Sequence, residues 1–268
     1  GSVQVMPSLR AIPALLALNY GISLQYRAQS VLWMINGTVP LIMMLIWLQL
    51  AKGGPIGGYD ATTFAQYFLF MFLARQSTPT WVIYLMDRGV KNGELTPYLL
   101  QPLHPVWHYA SQHWGELLAR LPVILVILAI GLTIADAWSW SLLTHLPAFL
   151  LGLALAWLIN FIVHMTVGLI AFWSDNALGY DTVIYQLYIM LGGVVIPVEL
   201  FPETMQRVLA WTPFPYVLDF PVRVMIGRAD GAEMLAGFGI QLFWIVGIGA
   251  LFAWGWRRSL RQYSAAGA

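Results

Sequence analysis

Asp87-Arg88-Gly89-Val90-Lys91-Asn92-Gly93-Glu94-Leu95-Thr96-Pro97-Tyr98-Leu99-Leu100-Gln101-Pro102-Leu103-His104-Pro105 is the longest polar, turn-rich interval between two strongly apolar segments. Its two glycines tolerate positive φ, its three prolines end or start helices, and its mixed charges are excluded from lipid, so the interval belongs in water. It reads as a cytoplasmic loop holding one short helix bracketed by Gly93 and Pro97. Leu95, Leu99 and Leu100 would form its apolar face, and Asp87, Arg88, Lys91 and Glu94 its charged rim.

On both sides of this loop the chain is membrane-like. Of its 268 residues 59% are hydrophobic and only 9% charged, where soluble domains carry about 25% charged residues. The aromatic share of 14%, with 13 tryptophans, suits rings placed at two membrane interfaces. A net charge of +1 argues against nucleic acid as a partner, and the absence of cysteine removes disulfides and thiolate metal sites. The expected fold is therefore an all-α membrane protein, a single transmembrane domain over residues 1–268.

Working outward, residues 6–30 are too polar for a span and read as an amphipathic interfacial helix with its arginines toward water. Six transmembrane helices are expected over 30–51, 61–86, 118–135, 146–172, 182–196 and 232–256. Pro40 is read as a kink in the first. Lys52 to Gly58 is a tight external turn whose paired glycines match no phosphate loop. The second span carries Gln66, Arg75, Gln76 and Thr78; an arginine inside a span costs at least about 2.5 kcal/mol, so it should face the bundle interior or a wet cavity. With Asn36 of the first span these make the candidate translocation path. The structural alternative for Arg75 is a bond to carbonyls freed by Pro79, or snorkelling. Asn160, His164 and Thr166 are the polar marks of the fourth span. Pro197, Pro202, Pro213, Pro215 and Pro221, interleaved with aromatics, break the helix, so 197–220 reads as an external re-entrant hairpin. Gly237, Gly239, Gly247 and Gly249 would let the sixth span pack closely.

Eight cations (Arg10, Arg27, Arg88, Lys91, Arg120, Arg257, Arg258, Arg261) fall on the side of the termini and central loop, against four opposite (Lys52, Arg207, Arg223, Arg228). That bias places both termini in the cytoplasm. His104 and His108 have a metal-binding i, i+4 spacing, but no third ligand shares their register, so no metal site is assigned. The chain contains neither a Gly-x-Ser-x-Gly elbow nor a nucleotide-binding G-x-x-x-x-G-K-[ST], so energy for any work would come from a partner.

Four stretches taken together resemble the ABC-2 type permeases, and most nearly a bacterial branch long described only as a domain of unknown function. They are Gly53-Gly54-x-Ile56-Gly57-Gly58-Tyr59, Asp87 through Gly93-Glu94-Leu95-Thr96-x-Tyr98-Leu99-Leu100-x-Pro102-Leu103, Ala171-Phe172-Trp173, and Ile196-Pro197-x-x-Leu200-Phe201-Pro202. The resemblance implies a coupling helix between spans 2 and 3 that docks on a separate ATPase subunit, with Asp87, Arg88, Lys91, Gly93, Glu94, Leu95, Pro97, Leu99, Leu100 and Pro102 at the contact. It implies a non-enzymatic permease of an ABC exporter in the bacterial inner membrane. Two ATPase copies would bind ATP and Mg, and a second permease, the same or a homologous chain, would complete the path for a lipophilic or amphiphilic substrate. Pro197, Phe201, Pro202 and Phe214 would form the external gate. This chain itself would hold no cofactor. The competing reading is an ion-coupled secondary transporter or channel, which would need buried acidic residues, and the spans offer almost none beyond Glu116.

Overall fold

The computed structural model describes residues 11–25, 32, 34, 35 and 37–266. Among them the helices are, in order, α1 (Ile12–Gln25), α2 (Val39–Leu50), α3 (Ala61–Ser77), α4 (Val82–Lys91), α5 (Thr96–Leu99), α6 (Pro105–Ile134), α7 (Trp140–Gly168), α8 (Ala177–Leu191), α9 (Glu203–Leu209), α10 (Phe214–Val217), α11 (Asp219–Met225) and α12 (Gly231–Ala266). No strand is found among the described residues, in keeping with the all-α expectation.

The central helix is α3, in which every residue from Phe64 to Ser77 is buried. Asp60 starts it: its carboxylate accepts from the Thr63 backbone N–H and the Thr63 hydroxyl, both at 2.7 Å. This answers a donor that every helix start leaves free, and the same bonds hold the Asp60 carboxyl below its ordinary value. Asp60→Ala is expected to cost about 1 kcal/mol, read as a lowered unfolding midpoint in detergent; an unchanged midpoint would show the cap to be redundant. From α3 the Phe64 ring stacks on Tyr59 at 5.1 Å and on Phe68 at 6.3 Å, and Tyr67 meets Phe68 edge-on at 5.2 Å. Around α3 pack α2, α6 and α11, while α7 is flanked by α4, α11 and α12.

Among the described residues three helices are long and apolar enough to cross a membrane: Pro105–Ile134, α7 with its 3-10 extension (Trp140–Phe172), and Gly231–Arg261. The other candidate spans have 12, 17 and 15 residues in α2, α3 and α8, which at 1.5 Å per residue reach only about 18–26 Å of a roughly 30 Å hydrocarbon core.

Several expected boundaries change. The span drawn over 61–86 is two helices: Pro79 has no N–H to donate and disfavours helical backbone at Thr78, so α3 stops at Ser77 and α4 begins at Val82. Pro40 kinks nothing. It sits in the first turn of α2, where a missing N–H is harmless. The segment drawn over 118–135 and the amphipathic stretch before it are one 30-residue helix, α6. The span expected at 182–196 starts at Ala177 and ends at Leu191, because Gly192 and Gly193 close it. Gly193 takes φ 89° there, a left-handed conformation that side chains with a Cβ avoid. The re-entrant segment is a 3-10 turn (Val198–Leu200) followed by α9, α10 and α11, so its folded extent reaches Met225 rather than residue 220.

The described part of the amino-terminal helix, α1, packs along α6. Asn19 faces the bundle and donates to Ser111 on α6 at 3.0 Å, while Leu18 and Ile22 are exposed. The Asn19 amide finds its partner on α6, and Leu18, Ile22 and Leu24 are left on the exposed side. Arg10 and Arg27 lie outside the described residues. Of the four glycines noted on the last span, only Gly237 meets a neighbour, the ring of Phe220; Gly239, Gly247 and Gly249 face open space. The Lys52–Gly58 segment closes as a two-residue reversal, with Ile56 and Tyr59 exchanging backbone bonds at 3.0 Å and Gly57 and Gly58 both at positive φ.

Candidate functional site

The break between α3 and α4 frees backbone carbonyls in the protein interior, and α6 and α7 supply the groups that meet them. Asn160 Nδ2 donates to the Thr78 carbonyl at 2.9 Å, and His113 Nε2 lies 3.2 Å from the Ser77 carbonyl. Non-helical backbone in a membrane protein requires protein partners of this kind. Arg75 is therefore not needed at those carbonyls. Its Nη2 donates instead to the Tyr185 hydroxyl at 2.7 Å, its Nε has no hydrogen-bond partner, and its side chain lines a cavity of about 490 Å³.

The cavity lies between α3, α4, α7 and α8. Thr78, Pro79, Thr80, Trp81 and Tyr84 come from the break and α4; Asn160 and His164 from α7; Asp181, Tyr185 and Tyr188 from α8. His164 Nε2 stands 3.1 Å from Asp181 Oδ1, and His164 Nδ1 is 2.7 Å from the Asn160 carbonyl. Arg75 also borders a smaller adjoining cavity of about 40 Å³ together with Gln76 and Arg120. Arg120 is buried, and the Glu116 carboxylate one turn before it is 3.8 Å away.

Of the five path residues chosen from sequence, Arg75 and Thr78 line the main cavity and Gln76 the smaller one, where its Nε2 also donates to the Met34 carbonyl at 2.9 Å. Gln66 is elsewhere: its Nε2 donates to the Ala137 carbonyl at 2.8 Å and ties α3 to the α6–α7 turn. Asn36 lies outside the described residues. His164, Asp181, Tyr185 and Asn160 were not chosen. The polar marks on the fourth span were the only hint, since Asp181 joins the site through packing of α8 against α4 and α7.

The loop residues also sort by position. Asp87 is not in the loop but buried in the last turn of α4, bonded to Lys91 Nζ at 3.0 Å. Lys91 Nζ also donates to the Asp175 carbonyl at 3.0 Å. Arg88 and Glu94 pair at 2.9 Å on the exposed rim. Pro97 lies within α5, which is a single turn, and Gly93 precedes it at φ 74°. Leu95 turns inward against Gly89 and Tyr109, Leu99 is half-buried, and Leu100 is 82% exposed, as is Pro102 in kind. The exposed apolar residue of the loop is thus Leu100. His104, His108 and His113 point to three different surroundings: His104 near Trp256 at 5.1 Å, His108 on the Tyr98 ring at 4.5 Å, and His113 on the Trp157 ring at 5.6 Å.

At the opposite end a charged seam fastens the Gly57-Gly58 turn, α3, the 193–200 segment and α11 together. Glu199 Oε2 accepts from the Tyr59 hydroxyl at 2.6 Å and from Arg228 Nε at 2.7 Å, and its Oε1 accepts from Arg223 Nη1 at 3.1 Å. Arg228 also donates to the Gly58 carbonyl at 3.0 Å and lies 4.0 Å over the Tyr59 ring. Asp219, fully buried, accepts from Tyr67 at 2.6 Å, from the Val198 N–H at 3.0 Å and from Arg223 Nε at 2.9 Å. Among the proposed gate residues, Pro197 is buried ahead of the 3-10 turn, Phe201 is half-buried, Pro202 is exposed at the start of α9, and Phe214 meets Tyr188 edge-on at 5.0 Å. Sequence reading missed the seam because its members are spread from Tyr59 to Arg228.

Burial pushes the Glu199 carboxyl up, but the Tyr59 hydroxyl and the two guanidiniums outweigh it and hold the group below its ordinary 4.5. A carboxylate with a depressed folded value contributes stability that is fully present above about pH 4.5 and lost as pH falls through the folded value. The unfolding midpoint is therefore expected to fall more steeply on acidification in the wild type than in Glu199→Gln. Parallel curves would remove Glu199 from the account.

A search of curated proteins finds no match. The family described as ABC-2 family transporter protein matches residues 37–267, which takes in the broken span, the cavity, the loop and the charged seam. The chain belongs to this ABC-2 transporter family, as a multi-pass membrane subunit of the ABC permease type.

Proposed function

We propose that this chain is the permease subunit of an ATP-driven exporter of lipophilic or amphiphilic molecules. A second permease subunit completes the path, and two copies of a separate ATPase supply the energy. In this reading the chain crosses a bacterial inner membrane six times, α2, α3 with α4, and α8 adding to the three long helices. Both termini and the 87–105 loop are cytoplasmic, and the 197–225 segment closes the external end.

One observation carries the proposal. A single ten-residue helix, α4, joins the loop to the cavity: Trp81 and Tyr84 at its start line the cavity, and Lys91 at its end begins the loop and is bonded to Asp175 in the next turn on that side. A helix of this length is a rigid strut of about 15 Å, so a push on the loop moves the cavity wall.

The test is co-expression with an ABC ATPase encoded beside this chain, followed by purification and reconstitution in liposomes. Glu94→Lys with Leu100→Asp reverses the exposed rim charge and spoils the exposed apolar residue without touching the buried side. Co-purification of the ATPase, and its activity in liposomes, are expected to fall at least about tenfold. An ATPase held equally by wild type and double variant would sink the coupling assignment.

A buried acid beside a histidine, Asp181 with His164, is the feature that favours the second reading, an ion-coupled carrier. Transport that persists in liposomes without any ATPase would move that reading to the front.

A further inference from the structure

His164 Nδ1 lies 2.7 Å from the Asn160 carbonyl oxygen. A carbonyl has no proton to give, so Nδ1 carries one. A neutral imidazole in that tautomer would present the bare lone pair of Nε2 to Asp181 Oδ1 at 3.1 Å, two acceptors with no proton between them. One further proton, on the ring or on the carboxyl, resolves the conflict, and either placement leaves the pair with no net charge.

Arg75 is the uncompensated charge of the same cavity. Its guanidinium meets the Tyr185 hydroxyl, its Nε is unpartnered, and no carboxylate among the described residues lies in ion-pair range of it. Tyr185 is one helical turn beyond Asp181 on α8, so Arg75 and the pair share a wall. The remaining titratable groups on the lining are Tyr84 from α4 and Tyr188 from α8. The α10–α11 segment contributes Val217 and Leu218, and α6 contributes nothing to the main cavity, its Arg120 bordering the smaller one beside Arg75.

Resting on the permease reading above, we propose that this cavity binds an amphiphile through one anionic group held by Arg75, and that binding requires the proton shared by His164 and Asp181. With the proton present the lining carries the Arg75 charge alone and attracts an anion. Without it, Asp181 balances Arg75 and the attraction is lost. Trp81, Tyr84 and Ile189 offer the surface for the apolar body of the ligand. Linkage makes the effect reciprocal, so an anion that enters also retains the proton.

The probe is 8-anilinonaphthalene-1-sulfonate, an aromatic sulfonate, titrated into the full chain in phosphatidylcholine nanodiscs from about pH 5 to about pH 8. The expected wild-type result is a Kd that rises with pH by up to about tenfold per unit, the limit for one linked proton. Arg75→Gln is expected to weaken binding at least about tenfold at the low-pH end, with Arg75→Lys restoring part of it. His164→Gln with Asp181→Asn, which keeps a hydrogen-bonding pair of similar shape without a titrating proton, is expected to flatten the pH profile. An unchanged elution profile and tryptophan emission would establish that the variants fold. Binding indifferent to Arg75→Gln, or a pH slope that survives the double substitution, would overturn the proposal. Binding that behaves as expected in a chain to which no ATPase ever couples would overturn the permease reading and leave the site standing.

Discussion

Asp219→Ala is expected to remove about 3–5 kcal/mol of folding stability, the usual penalty for taking one partner from a buried ion pair. The carboxylate has no exposed surface and receives three bonds, from the Tyr67 hydroxyl, the Val198 N–H and Arg223 Nε. Alanine takes the shared acceptor from all three donors, and Arg223 keeps Glu199 at 3.1 Å and the more distant Glu233 at 3.9 Å. Asp219→Asn retains an acceptor and should lose distinctly less. Denaturant unfolding in detergent measures both variants. A loss below about 1 kcal/mol for alanine, the worth of an ordinary hydrogen bond, would mean that the seam does not hold this end of the bundle.

Gly193→Ala is expected to be nearly as damaging, for a different reason. The left-handed backbone at φ 89° costs a residue with a Cβ roughly 1–2 kcal/mol by itself. The new methyl would also overlap the Tyr67 hydroxyl, whose single proton lies between Asp219 Oδ1 at 2.6 Å and the Gly193 carbonyl at 3.0 Å. Displacing that hydroxyl leaves buried polar groups unmet, at a further cost of about 1–3 kcal/mol. Tyr67→Phe separates the two contributions, because it removes the oxygen the methyl would strike. Gly193→Ala should therefore cost less in the Tyr67→Phe background than in the wild type. Equal costs in the two backgrounds would place the strain in the backbone and at Asp219, which the methyl also meets at 2.9 Å, and not at the tyrosine hydroxyl.

The cavity shows where a single sequence stops being readable. Arg75 was legible because a charge in an apolar stretch is expensive wherever that stretch goes, so it had to face an interior. Gln66, chosen on the same ground, turned out to serve the α6–α7 turn at the Ala137 carbonyl, since a polar residue inside a span announces only that it has a partner. Asp181 fell just outside the span expected over 182–196, because the start of its helix could not be fixed without seeing Ala177 begin the first turn of α8. In the loop, composition gave three leucines equal standing. Only packing under Tyr109 separates the inward Leu95 from the exposed Leu100.

What the sequence determined by itself was the solvent: a chain with this little charge and this many aromatics belongs in a bilayer, where backbone groups must be met within helices, and so the all-helical class followed from composition. It also determined the loop, because two glycines, three prolines and mixed charge cannot sit in lipid. The tertiary structure decided what no local pattern contains. Pro79 ends α3 here, but only the approach of α6 and α7 supplies His113 and Asn160 to the carbonyls it frees, and so makes the break tolerable. Likewise Tyr59, Glu199, Asp219 and Arg228 are ordinary residues in ordinary turns until the fold desolvates them together. Charge pairing depends on distance in space and on burial, and the order of residues along the chain sets neither.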